Sequence, residues 1–206
     1  MRKFKENLGY KGHLEVYKRF SDGEETLLFS DHNIVVSGMG VGLSRFFGGD
    51  GSPDLSAFTL GYYQVGVSGA SGVEVESTFE LSGALSSVDE YEEGNPLFKD
   101  LYQIKDGVPR PNNIFGPISQ SKIVHYSPGK ILVRIILDEE HANNIRRGNT
   151  IVPLTEIGLF MKNPRNFTFN GNKQDFPILV AYKNFDGIIK SEGFALVFKW
   201  LITLTA

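Results

Sequence analysis

The sequence contains no cysteine among its 206 residues. This absence excludes a disulfide framework, thiolate metal ligands and a cysteine nucleophile. The chain also has no apolar run approaching the roughly 20 residues that a membrane helix needs. Residues 1–12 lack the apolar stretch of a signal peptide. We therefore expect a protein that is made in the cytosol and has no membrane partner.

An excess of basic residues is also missing. The formal net charge is -3 and the isoelectric point is about 5.8, whereas a nucleic-acid binder usually carries a concentrated basic face. Only the start is locally basic, with Arg2, Lys3 and Lys5 inside residues 1–11. We interpret these residues as an N-terminal arm that is solvated or contacts a partner protein.

Aromatic residues are plentiful, with 16 Phe and 8 Tyr against 3 Met. Aromatic and β-branched side chains fit the half-buried surface of a pleated sheet. The 23 glycines agree with this reading, because a protein of many short strands needs many turns. An apolar share of 41% and a charged share of 22% are typical of a globular chain. The composition therefore favours a β-rich fold.

Alternation of apolar and polar residues predicts the strands. Residues 12–20 and 26–29 flank Asp22-Gly23, an Asp-Gly pair typical of a hairpin turn. Large apolar residues at every second position specify the strand over residues 194–204 and its register, because a one-residue slip would expose all of them. Further strands are predicted over residues 58–67, 118–126, 130–138, 156–161 and 178–185. The sequence predicts a single all-β domain over residues 1–206, an antiparallel β-sandwich.

One short helix is predicted after a strand break at Asp31-His32-Asn33. Within residues 34–47, Met39, Leu43, Phe46 and Phe47 fall on one face at helical spacing, which is more typical of core residues than of a contact surface. Three glycines in this stretch each weaken a helix by about 1 kcal/mol relative to alanine. We interpret them as places where the helix packs closely against the sheet.

Residues 78–115 lack periodicity and form a long irregular insertion. The stretch holds an acidic run at residues 89–93 and several prolines. Compact domains rarely carry such long connections without a function, and binding is the usual one. Together with the basic arm, it supplies the candidate partner-contact residues. The aromatic candidates, if they are exposed, are Tyr91, Phe98, Tyr102 and Phe115, and also Phe46 and Phe47 of the predicted helix, although their helical spacing is more typical of the core.

Nothing in the sequence assembles a catalytic, metal or cofactor site. The four histidines have no metal-binding spacing with one another, and zinc sites usually need three or four converging ligands. The cluster Asp138-Glu139-Glu140-His141 is interpreted as a solvated turn, since side chains of consecutive residues diverge. The glycines at positions 38, 40 and 42 lack the spacing of a phosphate-binding loop. We expect no enzyme activity and no cofactor.

Three stretches of motifs occur in a characteristic order. They are Gly12-His13-Leu14-Glu15-Val16-Tyr17 with Asp22-Gly23 and residues 28–33, then residues 62–69, then Thr155-Glu156-Ile157-Gly158-Leu159-Phe160 with residues 178–185 and 194–204. In this order they resemble virion structural proteins of tailed bacteriophages, especially marine and cyanobacterial contractile-tailed phages. The third stretch looks like a module of tail-collar, baseplate and fibre-attachment proteins. The resemblance covers both ends of the chain but not residues 78–115.

The resemblance implies a structural protein of the virion, made in the host cytoplasm, that assembles with other virion proteins. It also implies a homo-oligomer that follows the symmetry of the particle. The tail is the expected position, in the baseplate, a fibre adaptor or the neck and collar. Two alternatives remain, a head decoration or vertex protein and a carbohydrate-binding module of a host-recognition fibre. The second alternative requires aromatic residues such as Tyr62, Tyr63 and Trp200 to face solvent.

Overall fold

The computed structural model describes residues 9–48, 59–67, 78, 80–85, 102–103, 114–119, 122–162, 167–169, 172–174 and 177–205. Within these residues the chain forms fourteen strands and one helix. In chain order they are β1 (Gly9–Arg19), β2 (Glu25–Val35), α1 (Ser37–Gly48), β3 (Leu60–Gly66), β4 (Tyr102–Gln103), β5 (Ile114–Pro117), β6 (Ile123–Ser127), β7 (Lys130–Leu137), β8 (Arg146–Arg147), β9 (Thr150–Ile151), β10 (Leu154–Met161), β11 (Phe167–Phe169), β12 (Asn172–Gln174), β13 (Ile178–Ile188) and β14 (Ala195–Thr205).

Ten of these strands form one antiparallel sheet in the order β4-β5-β3-β10-β13-β2-β1-β14-β7-β6. Strand β2 joins its two halves. From Glu25 to Asn33 it pairs with β1, and at its end Ile34 and Val35 pair with Tyr182 and Ala181 of β13. We call β6, β7, β14, β1 and β2 the first half, and β13, β10, β3, β5 and β4 the second half.

The sheet is curled, so that both halves contribute to one core. A single buried cluster contains Val16 and Trp200 from the first half together with Val65 and Ile157 from the second. Tyr63 of β3 lies beside residues 134–136 of β7, around a cavity of about 160 Å³, although β3 and β7 are far apart in the strand order. The all-β class with one short helix is confirmed. The sandwich arrangement is not confirmed, because β2 links the halves into one sheet.

The alternation predicted for residues 194–204 is observed in β14. Its even-numbered side chains, from Leu196 to Ile202, are fully buried in the main cluster. The strand lies between β1 and β7, with Trp200 opposite Leu14 on one side and Val133 on the other. Leu204, at the end of the strand, is exposed. The central position of β14 explains why its inward face is the most strongly apolar of the chain.

The break predicted at Asp31-His32-Asn33 is wrong, because β2 continues through these residues to Val35. Asp31 and His32 are exposed, where polar side chains fit an outer surface. Asn33 is buried, and its side-chain oxygen accepts a 2.7 Å hydrogen bond from the indole nitrogen of Trp200. A satisfied polar group costs little inside a core. The strand therefore runs on through a sequence that resembles a turn.

Helix α1 begins at Ser37, within the predicted stretch, and packs on β13. Met39 is buried in the main cluster, as predicted. At Gly38 a Cβ atom would overlap the backbone oxygen of Leu179, which confirms close packing there. Phe47 is 78% exposed, so its predicted place in the core is wrong. The side chain of Phe46 lies outside the part of the chain that is described.

A second cluster covers the outer face of the second half. Leu81 packs there with Phe160 and Leu179, and Glu156 holds the covering segment in place. Its buried carboxylate accepts hydrogen bonds from the backbone nitrogens of Gly83, at 2.6 Å, and Ser82, at 3.3 Å. Strand β10 is consequently buried on both faces. Residues 80–85, from the start of the predicted irregular insertion, thus belong to the packed structure.

Candidate functional site

The candidate site is a groove that opens where β2 and β13 separate. The two strands are hydrogen-bonded at only two residue pairs, Ile34 with Tyr182 and Val35 with Ala181. Beyond these pairs β2 continues towards its hairpin with β1, and β13 continues along β10. Because each strand follows a different half of the curled sheet, the space between them widens. Within the described residues, β2 from Glu25 to Asn33 has a paired strand on its β1 side alone.

The groove has a volume of about 630 Å³. Lys18 of β1 lies at one wall, Leu28 and Phe29 of β2 form another, and the last residues of β13 form the third. Its size falls in the range of surface clefts that accept several side chains of a partner or a small molecule. The full lining is Lys18, Leu28, Phe29, Ser30, Asp31, Lys183, Asn184, Phe185, Asp186, Gly187, Ile188 and Ile189.

An ion pair closes the narrow end of the groove. The Nζ atom of Lys183 on β13 lies 2.8 Å from Oδ2 of Asp31 on β2. The hydrogen bond from Lys183, supported by one from the backbone nitrogen of His32, holds the pKa of the Asp31 carboxyl below its usual value. Because Asp31 is exposed, solvent screens the pair and its contribution to stability is small. The pair joins the two strands at the protein surface.

The floor and rim of the groove are apolar. The rings of Phe29 and Phe185 stack across it with centroids 5.3 Å apart. At the rim Leu28 is 37% exposed and Ile189 is 56% exposed. Burying a large apolar side chain contributes about 1.5–3 kcal/mol. A partner that covered this rim would gain that stabilisation, and it could also pair with the edge of β2.

The structure does not gather the predicted contact residues into one surface. Tyr102 lies in β4, opposite Phe115 of β5. Phe115 is buried in the second cluster, with its ring 5.1 Å from that of Phe160. Its candidacy as an exposed anchor is therefore wrong, because packing against β10 removes it from solvent. The remaining candidates, Arg2, Lys3, Lys5, Tyr91 and Phe98, lie outside the described residues.

The groove was not predicted from the sequence. One signal for it was available in Leu27-Leu28-Phe29, because three consecutive apolar residues cannot all face inward in a strand of period two. At least one of them must be exposed on an outer face unless a second layer covers it. Ile189 offers no such signal, since it follows directly on β13 and its exposure depends on the path of the chain. Only the curl of the sheet brings these residues together.

A buried polar cluster lies at a different place, in the turn after β7. The Nζ atom of Lys190 donates hydrogen bonds to Oδ1 of Asn143, at 2.8 Å, and to the backbone oxygen of Ser191, at 2.9 Å. Burial lowers the pKa of Lys190 to about 8. Asn143 in turn donates to the backbone oxygen of Glu139 at 2.6 Å. The cluster ties the connection before β14 to this turn, which is a structural role.

The same turn departs from the predicted solvated arrangement. The Nδ1 atom of His141 is bonded to Oδ1 of Asp138, so these two side chains converge. Ala142 and Asn144 have positive φ angles of 55° and 45°, a strained conformation for residues other than glycine. Residue Asn144 is held by a 2.8 Å bond from its nitrogen to the oxygen of Lys190. Packing of the turn against the Lys190 segment sustains the strain.

Aromatic residues required for a carbohydrate platform are not exposed together. Trp200 is fully buried and Tyr63 lies in the main cluster, where burial raises the pKa of its phenol. Tyr62 is half-buried against the second cluster. A sugar-binding surface needs aromatic faces in solvent, so this trio does not form one. The observation disfavours the carbohydrate-binding alternative at these residues.

The described residues contain no group of three or more His, Cys, Asp or Glu side chains placed to hold a metal ion. No helix among them is long and apolar enough to span a membrane. Comparison with known proteins identifies no family for this chain. Neither protein-family models, nor curated proteins, nor solved structures match this chain.

Proposed function

We propose that the chain is a non-enzymatic structural component of a tailed-phage virion, located in the tail as a baseplate, fibre-adaptor or neck and collar protein. The phage assignment depends on the order of the motifs at residues 12–33, 62–69 and 155–204. The assembly role is supported by the groove between β2 and β13. In this proposal the chain works through protein–protein contacts with other virion proteins and forms an oligomer that follows the particle's symmetry.

The observation that carries the assembly role is the exposed apolar rim beside the edge of β2. Leu28 lines the groove on β2, whose groove-side edge has no paired strand beyond its last two residues within the described part of the chain. Proteins that stay monomeric usually protect such an edge with charge, proline or a covering segment. An edge of this kind offers both backbone hydrogen bonds and apolar contact area to a partner.

The first experiment locates the protein in the particle. Antibodies raised against the purified chain are applied to intact virions of the source phage and visualised by electron microscopy. We expect label on the tail. Label confined to the capsid would replace the tail assignment with the head decoration alternative, and particles without the protein would refute the virion assignment.

The second experiment tests the groove. Virions are assembled in cells that supply the protein in trans, either as the natural chain or as the Leu28→Arg or Ile189→Arg variant. We expect both variants to fold but to be incorporated poorly, because a charge at the rim cannot be buried against a partner without a large desolvation cost. The measurement is the amount of the protein in purified particles.

Val124→Arg is the matched control. Val124 lies on β6, away from the groove, and is 50% exposed, so the same substitution changes charge and size at a comparable surface position. Normal incorporation of this variant with loss of the other two supports the groove as the contact surface. Equal incorporation of all three variants would remove the groove from the proposal.

A further inference from the structure

A lysine and an asparagine are enclosed together between the turn after β7 and the connection before β14. Lys190 is 2% exposed and Asn143 is 1% exposed. Although the two residues are 47 positions apart in the chain, Nζ of Lys190 lies 2.8 Å from Oδ1 of Asn143. The amide carbon Cγ is bonded to that oxygen at about 1.2 Å, so it lies no more than about 4 Å from Nζ. Groups held about 3–3.5 Å apart are placed to react, and this pair is close to that separation.

Hydrogen bonds hold both side chains in this arrangement. Nδ2 of Asn143 donates to the backbone oxygen of Glu139 at 2.6 Å, which fixes the plane of the amide. Nζ of Lys190 also donates to the backbone oxygen of Ser191 at 2.9 Å. The backbones are joined as well, because the nitrogen of Asn144 donates to the oxygen of Lys190 at 2.8 Å. The fold therefore presents one amine to one amide carbon in an enclosed space.

The surroundings of Lys190 favour the neutral amine, which is the nucleophilic form. Burial lowers the pKa of Lys190 to about 8, although the charges of Glu139 and Asp138 act in the opposite direction. A second cation lies nearby, since Nζ of Lys18 is 4.5 Å and Nζ of Lys190 is 5.4 Å from the centre of the Phe194 ring. With a pKa of about 8, about a tenth of the amine is neutral at pH 7 and about nine-tenths at pH 9.

We propose that Lys190 and Asn143 form an intramolecular isopeptide bond in the folded chain. The lone pair of Nζ attacks Cγ of Asn143, the bond between Nζ and Cγ forms, and the bond between Cγ and Nδ2 breaks. The proton that Nζ loses passes to Nδ2, which leaves as ammonia. One amide replaces another, so the step needs no oxidant, reductant or further reactant. The new bond ties the turn after β7 covalently to the connection before β14.

The bond forms slowly. The hydrogen bonds of Lys190 and Asn143 lead to carbonyl oxygens rather than to a carboxylate, so no acid among the described residues assists the transfer of the proton to the leaving nitrogen. The acceleration comes from enclosure, because well-oriented groups within one molecule react as if at about 10⁵–10⁸ M. The freshly purified chain keeps its free lysine at neutral pH, and the isopeptide bond accumulates during alkaline incubation.

The test is incubation of the full chain for several days at pH 9 and at pH 6.5, followed by tryptic digestion and mass spectrometry. We expect a branched peptide that joins residues 135–146 to residues 184–199 and is lighter than their sum by one ammonia, because trypsin does not cleave after a lysine whose amine is in an amide. Its initial rate of formation should be about thirtyfold higher at pH 9, which is the ratio of neutral amine for a pKa of about 8. An asparagine that closes a cyclic imide also loses ammonia, so the branched peptide is the criterion.

Variants and an unfolded control identify the reacting groups. Lys190→Met and Asn143→Ala should give no branched peptide. Lys18→Met is the matched control and should form it at the natural rate, because Nζ of Lys18 lies over the Phe194 ring and is not bonded to the amide. The natural chain unfolded in guanidinium chloride at pH 9 should form none, and this control does not depend on the folding of any variant. A folded natural chain without the branched peptide after incubation at pH 9, or an equal yield from the unfolded chain, would overturn the proposal.

Discussion

The indole nitrogen of Trp200 donates a 2.7 Å hydrogen bond to the side-chain oxygen of Asn33 in the interior of the curled sheet. The two residues are far apart in sequence and lie on strands separated by β1. A buried donor that keeps its acceptor costs little, whereas a buried donor without one costs about 1–3 kcal/mol. The contact therefore links β14 to β2, the strand that joins the two halves of the sheet.

Removing the acceptor should destabilise the fold. We expect Asn33→Ala to lower the free energy of unfolding by about 1–3 kcal/mol, because the indole nitrogen loses its partner inside the core. The measurement is urea denaturation followed by far-ultraviolet circular dichroism, because Trp200 is the single tryptophan of the chain and the cycle described next removes it. In a double-mutant cycle with Trp200→Phe, the two losses should be less than additive. Additive losses would show that the hydrogen bond contributes nothing.

Two glycines of α1 should respond in opposite ways to the same substitution. At Gly38 a Cβ atom would overlap the backbone oxygen of Leu179, whereas at Gly40 it would meet no atom within 4 Å. We expect Gly38→Ala to destabilise the protein, since helix and strand must move apart. Gly40→Ala should stabilise it by up to about 1 kcal/mol, through helix propensity. Thermal melting of both variants provides the comparison, and equal shifts would contradict the close packing.

The buried Lys190 should make stability depend on pH at alkaline values. Its pKa in the folded chain is about 8, against an ordinary value of 10.5. Between these values the unfolded chain binds more protons, so the free energy of unfolding rises with pH through this window. Below pH 8 both states are protonated and the contribution is constant.

Lys190→Met isolates this effect. The difference in unfolding free energy between the natural chain and this variant should shift in favour of the natural chain as the pH rises from 7 to about 9.5, since all other groups cancel in the difference. Chemical denaturation at both pH values measures it. If the difference in unfolding free energy stayed constant between the two pH values, burial would not lower the pKa of Lys190 in the folded chain.

Glu25 should stabilise the fold at neutral pH and lose that effect in acid. Its carboxylate lies 2.7 Å from Nζ of Lys199 and 2.8 Å from a guanidinium nitrogen of Arg134. The hydrogen bond from Lys199 has the largest effect on the pKa of Glu25, and the hydrogen bond from Arg134 acts in the same direction. Together they lower this pKa below its ordinary value of 4.5. The stabilisation is present above pH 4.5 and is lost as the pH falls through the folded value.

Glu25→Gln is the corresponding variant. We expect it to lower the free energy of unfolding by about 1 kcal/mol at pH 7, because the group is partly exposed and solvent screens the pairs. At pH 3 the difference from the natural chain should shrink. The measurement is urea denaturation at the two pH values, and a difference that grows in acid would contradict the assignment.

The strands were predictable where a local pattern determines them. Period-two alternation predicted β7 and β14 to within one residue at each end, and the Asp22-Gly23 turn predicted the first hairpin. The continuation of β2 through Asp31-His32-Asn33 was not predictable in this way. Its polar residues resemble a turn, and only the distant Trp200 supplies a hydrogen-bond donor for Asn33.

The candidate sites were less predictable than the strands. The aromatic residue Phe115 was a reasonable contact candidate in an irregular stretch, yet it packs against Phe160. His13 and His32 are far apart in the chain, and only the fold brings their rings to 5.5 Å from each other. That distance follows from the register of β1 against β2, which includes an irregularity near Val16.

The sequence by itself determined the β-rich class, the first hairpin and the inward face of β14, because the geometry of a strand turns alternation directly into two faces. Only the tertiary structure decided that β2 joins two halves of one curled sheet. The groove beside Leu28 exists for the same reason. A strand edge is exposed or covered according to which distant strand reaches it, and that depends on packing between residues far apart in the chain.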